Sequence, residues 1–280
     1  EILRDNTDRN RTSAFAFTGN KFEFRAVGST ANCANPMTIL NTIVAKQLID
    51  FKAEVDVLIE EKAMKKDDAI FNVLREYIKT SKEILFEGNG YSDDWEKEAK
   101  KRGLSNNKTT PEALKIKKSK STIELFESLG VLNKVESEAR YEIEMEEYIL
   151  HIQIESRVSG DIARNHVVPT AVKYQNILIE NVTGLKTIYG DRFKEFAKEQ
   201  LSLIEQISQH IEAINSLVTE MIDTRKTINK LTNIEKKAEG YCKKIKPLFE
   251  DIRYHCDKLE IMIDDELWPL TKYRELLFTK

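Results

Sequence analysis

Two runs in the last third of the chain restrict its fold more than any other feature. Ile204, Ile207, Ile211, Ile214, Val218 and Met221 follow at steps of 3, 4, 3, 4 and 3, and Ile234, Ala238, Tyr241, Ile245, Leu248 and Ile252 at steps of 4, 3, 4, 3 and 4. This is the a and d spacing of a coiled-coil seam. A strand cannot present it, because strand side chains alternate with period two. Thr232 and Glu235 between the runs have the spacing of a capping box. The two seams and their short break predict an antiparallel helical hairpin within residues 190–264. Pro247 predicts a kink in the second arm, since proline removes a helix hydrogen bond.

The rest of the composition agrees with a mainly helical chain. Only 10 glycines and 5 prolines occur in 280 residues, where average usage would give about 20 and 14. That shortage argues against an all-β sandwich or a Pro/Gly-rich disordered chain. Lys+Arg 44 against Asp+Glu 47 leaves a net charge of -3, so no global positive field gathers nucleic acid. No apolar run approaches the roughly 18 residues of a membrane span, and the charged opening Glu1–Arg11 does not read as a signal peptide. Cys33, Cys242 and Cys256 are odd in number and widely spaced. They read as reduced thiols of a cytoplasmic protein rather than a disulfide framework or a zinc site. The first residue is Glu, and a strand-like motif follows within twenty residues, which suggests a piece of something longer.

The first thirty residues differ from the rest. Phe15, Phe17, Phe22 and Phe24 alternate with small or polar neighbours around Thr18-Gly19-Asn20, predicting strands at about 12–17 and 21–27. From Pro36 the pattern is helical, with Asn35 as a plausible N-cap. A second helix is expected from about Asp67 to Lys82, with Ile70, Val73, Leu74 and Ile78 on its apolar face. Ser92 is expected to cap a short helix that ends at about Arg102, with Gly103 just beyond it. Residues 105–110 read as a linker, and Thr110-Pro111-Glu112 as the start of a further helix. Asn133 with Glu136 opens a long acidic helix, and Val167-Val168-Pro169 marks a kink or break.

The strand Lys21-Phe22-Glu23-Phe24-Arg25 is the strongest chemical candidate. Alternation puts Lys21, Glu23 and Arg25 on one face. That face is either a solvated row of cross-strand ion pairs or a site wall with a carboxylate for a metal and cations for phosphates or carboxylates. Arg11, at the start of the neighbouring strand, could join it. Other candidates are weaker. Glu147, His151 and Glu155 follow i, i+4, i+8 and could bind a metal, but such a set is more often a solvated helix face. His255 and Cys256 could suggest a nucleophile pair, yet helix neighbours one apart do not face each other. Gly88-Asn89-Gly90 lacks the Gly-Lys-Ser/Thr of a phosphate-binding loop. His166 and His210 read as ordinary.

The stretch Asn10-Arg11-Thr12-Ser13, then Phe15-Ala16-Phe17-Thr18-Gly19-Asn20-Lys21-Phe22-Glu23-Phe24-Arg25, then Ala34-Asn35-Pro36 resembles the end of the catalytic domain of glutamine synthetase, in its type III form. Glu87–Ser92, Glu138–Glu142 and the tail Trp268–Phe278 are similar to that branch too. The resemblance implies the end of an α+β catalytic domain over residues 1–103, followed by a helical extension over 104–280. It also implies an ATP-dependent ligation of ammonia to glutamate through a γ-glutamyl phosphate, with Mg²⁺ or Mn²⁺, and a homo-oligomer of stacked hexameric rings. Glu23 matches a metal ligand, Arg25 an arginine on substrate glutamate and the phosphoryl transition state, and Arg11 an arginine on the nucleotide phosphates. Lys21 stands where many members have an arginine near the nucleotide. Ala16 stands where the family has a second arginine. A hard cation needs about six oxygen ligands, so the remaining carboxylates and a ligand histidine are expected upstream of Glu1, and this chain alone is expected to be inactive. The alternative is a non-enzymatic helical scaffold or assembly module, which the seams suit equally but which has no need of Arg11, Glu23 and Arg25 in that order.

Overall fold

The computed structural model describes residues 15–17, 22–24, 32–84, 92–272 and 275–277. They are mainly helical and fall into two compact units, Glu1–Lys108 with Ile116–Glu138, and Thr109–Lys115 with Ala139–Lys280. The boundary inside the long helix lies between Glu138 and Ala139.

In the first unit, β1 (Phe15–Phe17) and β2 (Phe22–Phe24) pair antiparallel, with Phe15 opposite Phe24, Ala16 opposite Glu23 and Phe17 opposite Phe22. Helix α1 spans Ala34–Glu60 and α2 spans Lys66–Thr80. They pack through Val55, Ala69 and Val73, with Phe51, Ile70 and Tyr77 around them. The expected N-cap at Asn35 moves outward. Helix α1 already includes Ala34, whose N–H donates to Asn32 Oδ1 at 2.8 Å. The expected α2 face is also only half covered, because Leu74 and Ile78 are 43% and 64% exposed.

Helix α3 (Asp93–Lys101) starts and stops where local chemistry requires. Ser92 Oγ accepts from the Trp95 N–H. Gly103 takes φ +77°, and the Leu104 N–H reaches back to Ala99 O at 2.9 Å, closing the helix end. Helix α5 spans Lys120–Ser128 in this unit, and α4 spans Thr110–Leu114 in the second. At the start of α6 (Lys134–Ile162) the Asn133 N–H donates to Glu136 Oε2 at 2.8 Å, and the Glu136 N–H donates to Asn133 Oδ1 at 2.9 Å. This is a reciprocal capping box.

The second unit is built on three long helical runs. The remainder of α6 continues through Ala163–Val167 into α7 (Val168–Tyr189). After the short α8 (Phe193–Phe196), α9 runs over Lys198–Asn229. The third run is α10 (Ile234–Gly240), Tyr241–Ile245 and α11 (Lys246–Met262). The two prolines do not break these runs. Each follows a widened π-turn in which the Val168 N–H donates to Ala163 O and the Lys246 N–H to Tyr241 O, five residues back. The wider turn absorbs the donor that Pro169 or Pro247 lacks, and the helix goes on.

Ile207, Ile214, Val218, Met221, Tyr241, Ile245, Leu259 and Met145 fill the core. Helix α9 meets the third run with Ile228 beside Gly240, Asn229 bonded to Tyr241 and His210 bonded to His255. Residue numbers therefore fall along one run as they rise along the other. The cap of α10 is Asn233, whose Oδ1 accepts from the Lys236 N–H at 2.9 Å, one residue past the expected Thr232.

Candidate functional site

The residues expected to carry chemistry are Arg11, Lys21, Glu23 and Arg25. Arg11, Lys21 and Arg25 lie outside the described residues, as does the Gly88-Asn89-Gly90 loop. Of the four strand-row candidates only the backbone of Glu23 is placed. It lies in β2 with Ala16 as its cross-strand partner. The register thus puts Ala16, where the resemblance expects a second arginine, directly opposite Glu23, the residue expected to be a metal ligand.

Elsewhere the structure separates residues that the sequence had grouped. Glu147, His151 and Glu155 are all exposed on α6. Among the described residues, no group of three or more His, Cys, Asp or Glu is placed to hold a metal ion. His255 turns to His210 on α9, with their Nδ1 atoms 2.8 Å apart. Cys256 instead lines a cavity of about 490 Å³ with Ala163, Val167, Ile252, Trp268 and Thr271. Burial, with Asp257 as a lesser cause, pushes its thiol up to about 11. It is therefore a poor nucleophile at neutral pH.

The pairing of His210 with His255 is a contact that the sequence reading missed. The signal was present in the two seams, because both histidines flank core positions on facing runs. Burial first, then His255 and Lys258, lower His210 from its ordinary value. The Tyr254 ring packs edge-on against His255 at 5.1 Å. The tail is anchored beside the cavity by Lys272, which is 9% exposed. Its Nζ donates to Glu260 O at 2.9 Å and Ile263 O at 3.3 Å, and it also bonds Asp265. The lysine thereby occupies carbonyls that the end of α11 leaves open.

In the first unit, a groove of about 620 Å³ between α1 and α2 is lined by Ala53, Val57, Leu58, Met64 and Val73, with Glu54 and Glu76 among its polar residues. No helix of the described residues is long and apolar enough to cross a membrane.

Comparison with known proteins bears on the whole chain. Residues 69–186 match the glutamine synthetase C-terminal domain. A glutamine synthetase of Bacteroides fragilis is 49% identical over 281 residues, which cover 100% of this chain and 38% of that protein. The type-3 glutamine synthetase of Dictyostelium discoideum is 35% identical over 282 residues, again 100% of this chain and 38% of the relative. A glutamine synthetase of Butyrivibrio fibrisolvens is 29% identical over 279 residues, covering 99% of the chain and 39% of the relative. The chain thus spans well under half the length of the relatives it matches, and it belongs to the glutamine synthetase family as the portion that carries the C-terminal domain.

Proposed function

We propose that the protein containing this chain is a type III-like glutamine synthetase that ligates ammonia to glutamate at the expense of ATP. The observation that carries this reading is the 49% identity over an alignment that covers the whole chain. ATP phosphorylates the γ-carboxylate of glutamate, and ammonia then displaces phosphate. Both steps gather negative charge, which fixed guanidinium groups stabilise. Arg11 holds the nucleotide phosphates and Arg25 the substrate glutamate and the charge that develops on the phosphoryl group. Lys21 lies near the nucleotide. Glu23 supplies one carboxylate to Mg²⁺ or Mn²⁺. A single carboxylate is not a cage, and the described residues do not provide the others, so no step is assigned to the metal.

In this reading residues 1–103 end the catalytic domain and residues 104–280 form a helical extension. The contacts of Ile228 with Gly240, Asn229 with Tyr241 and His210 with His255 support α9 and the α10–α11 run as an antiparallel hairpin. Its seam is filled with packing residues, which suits architecture in a cytoplasmic homo-oligomer of stacked hexameric rings. The test is Glu23→Ala in the intact protein. Glutamine synthesis should fall by at least about 10²–10³, the scale for losing one charge-stabilising group, with the fold unchanged by circular dichroism. Near-normal synthesis would return Glu23 to a solvated strand face. The chain by itself should release no phosphate from ATP with Mg²⁺, glutamate and ammonia.

A further inference from the structure

The cavity beside Cys256 lies wholly within the second unit, and the proposed reaction does not use it. Three segments wall it. Ile162, Ala163 and Val167 come from the end of α6 and the π-turn that follows. Phe249, Ile252 and Cys256 come from α11, and Trp268, Leu270 and Leu276 from the tail. Its volume of about 490 Å³ is in the range of small-molecule sites. Ala163 and Val167 are the two ends of the π-turn, and turns of this kind recur at functional sites. On the tail side, Leu270 and Leu276 remain 39% and 64% exposed.

These walls are apolar, but they hold one unmet donor. Trp268 is 9% exposed, and its Nε1–H is buried with no acceptor among the described residues. A buried indole N–H usually has a partner, and leaving it without one is unfavourable. Lys272 Nζ lies 5.9 Å from the centre of the Trp268 ring, but an ammonium group has no acceptor to offer. Burial keeps the Cys256 thiol protonated, so it brings no charge. The charged groups of the lining are mostly negative. Glu250, Asp257 and Glu260 stand against Arg253, whose Nε donates to Asp257 Oδ2 at 3.4 Å. Three carboxylates to one guanidinium repel an anion and attract a cation.

We infer that this cavity is a binding site for a small aromatic amine that carries an oxygen acceptor. The ring packs among Val167, Phe249, Ile252 and Leu276, where Phe249 and Trp268 offer it aromatic contacts. The oxygen accepts from the Trp268 N–H, and the ammonium group faces the carboxylates of Glu250 and Asp257. Trp268, Leu270 and Leu276 belong to the tail, so a bound amine ties the tail to α11 and the π-turn.

Three probes test this in the intact protein by hydrogen exchange read with mass spectrometry at constant ionic strength. Tyramine has the ring, the ammonium group and a phenolic oxygen. Phenethylamine lacks the oxygen, and 4-hydroxyphenylacetate has a carboxylate in place of the ammonium group. Peptides spanning 249–257 and 264–277 should exchange more slowly as tyramine is added, and the response should saturate. This local readout separates the cavity from binding at a catalytic centre. Phenethylamine should bind at least about fivefold more weakly, the scale for one hydrogen bond to a buried donor, and 4-hydroxyphenylacetate should give no protection. Trp268→Phe keeps a ring but removes the N–H. It should weaken tyramine to the level of phenethylamine and leave phenethylamine unchanged, which also reports that the cavity is intact. No protection by tyramine, equal protection by 4-hydroxyphenylacetate, or a Trp268→Phe variant that binds tyramine as the parent does would each overturn the proposal. Should Trp268→Phe fail to fold, equal affinity of the parent for tyramine and phenethylamine would overturn it alone.

Discussion

Gly240 and Ile228 give the sharpest test of how the long runs of the second unit lock together. A Cβ on Gly240 would lie 3.0 Å from Ile228 Cγ1, 3.1 Å from Cδ1 and 3.2 Å from Cγ2. Ile228 is 4% exposed, so it has little room to turn away, and its β-branch is stiff at χ1. Two effects oppose each other in Gly240→Ala. Alanine is favoured over glycine inside a helix by roughly 1 kcal/mol. Forcing a methyl group into a filled core costs about 1–3 kcal/mol. With all three close contacts on one confined side chain the upper part of that range applies, and the net change should be about 1–2 kcal/mol destabilising. Ile228→Ala alone should cost about 2–5 kcal/mol, because it empties the same space. In the double variant the new methyl enters that space and the clash is gone. The two changes should therefore be less damaging together than their sum, by about 1–3 kcal/mol. Urea unfolding followed by fluorescence of Trp268, which belongs to the same unit, measures all four corners of the cycle. Strict additivity, or a Gly240→Ala variant more stable than its parent, would refute the close approach of these two runs.

Other outcomes follow from the same unit. The His210 and His255 Nδ1 atoms can share one proton but not carry one each, and His210 is held below its ordinary value. The unfolded chain then binds more protons, so this contribution is intact above about pH 6.5, the ordinary histidine value, and is lost as pH falls below it through the lower value of the folded state. Urea midpoints measured across about pH 5 to 7 should drop on the acid side, and His210→Leu should flatten the drop; an unchanged slope would show that His210 is not the source of it. Lys272→Met strips the partner from the Glu260 and Ile263 carbonyls, each loss costing about 1–3 kcal/mol where the group stays buried. Limited proteolysis should then cut the tail after Met262 sooner than in the parent, and equal resistance would mean that the tail is held by other contacts.

What the sequence determined by itself was mostly what one or two helical turns can decide. The seam from Ile204 to Met221 needed only its period to declare α9. Ser92, Gly103 and the Asn133–Glu136 box set helix ends through hydrogen bonds that reach no more than five residues. The chemistry of Arg11, Lys21, Glu23 and Arg25 was legible only through the likeness of a strand motif to a family, since row-like charge patterns also decorate ordinary strands. Tertiary structure decided the rest. Pro169 was expected to kink or break its run and Pro247 to kink its own, yet the helix continues past each after a π-turn that takes up the missing donor. Leu74 and Ile78 had the periodicity of a buried face, but burial depends on a neighbour being there, and theirs covers only part of it. His210 and His255 are 45 residues apart, and Ser156 and Arg225 are 69 apart. No local pattern joins such residues. They meet because the apolar seams can be buried only by laying the long runs side by side, and that packing sets which polar groups face each other at the edges.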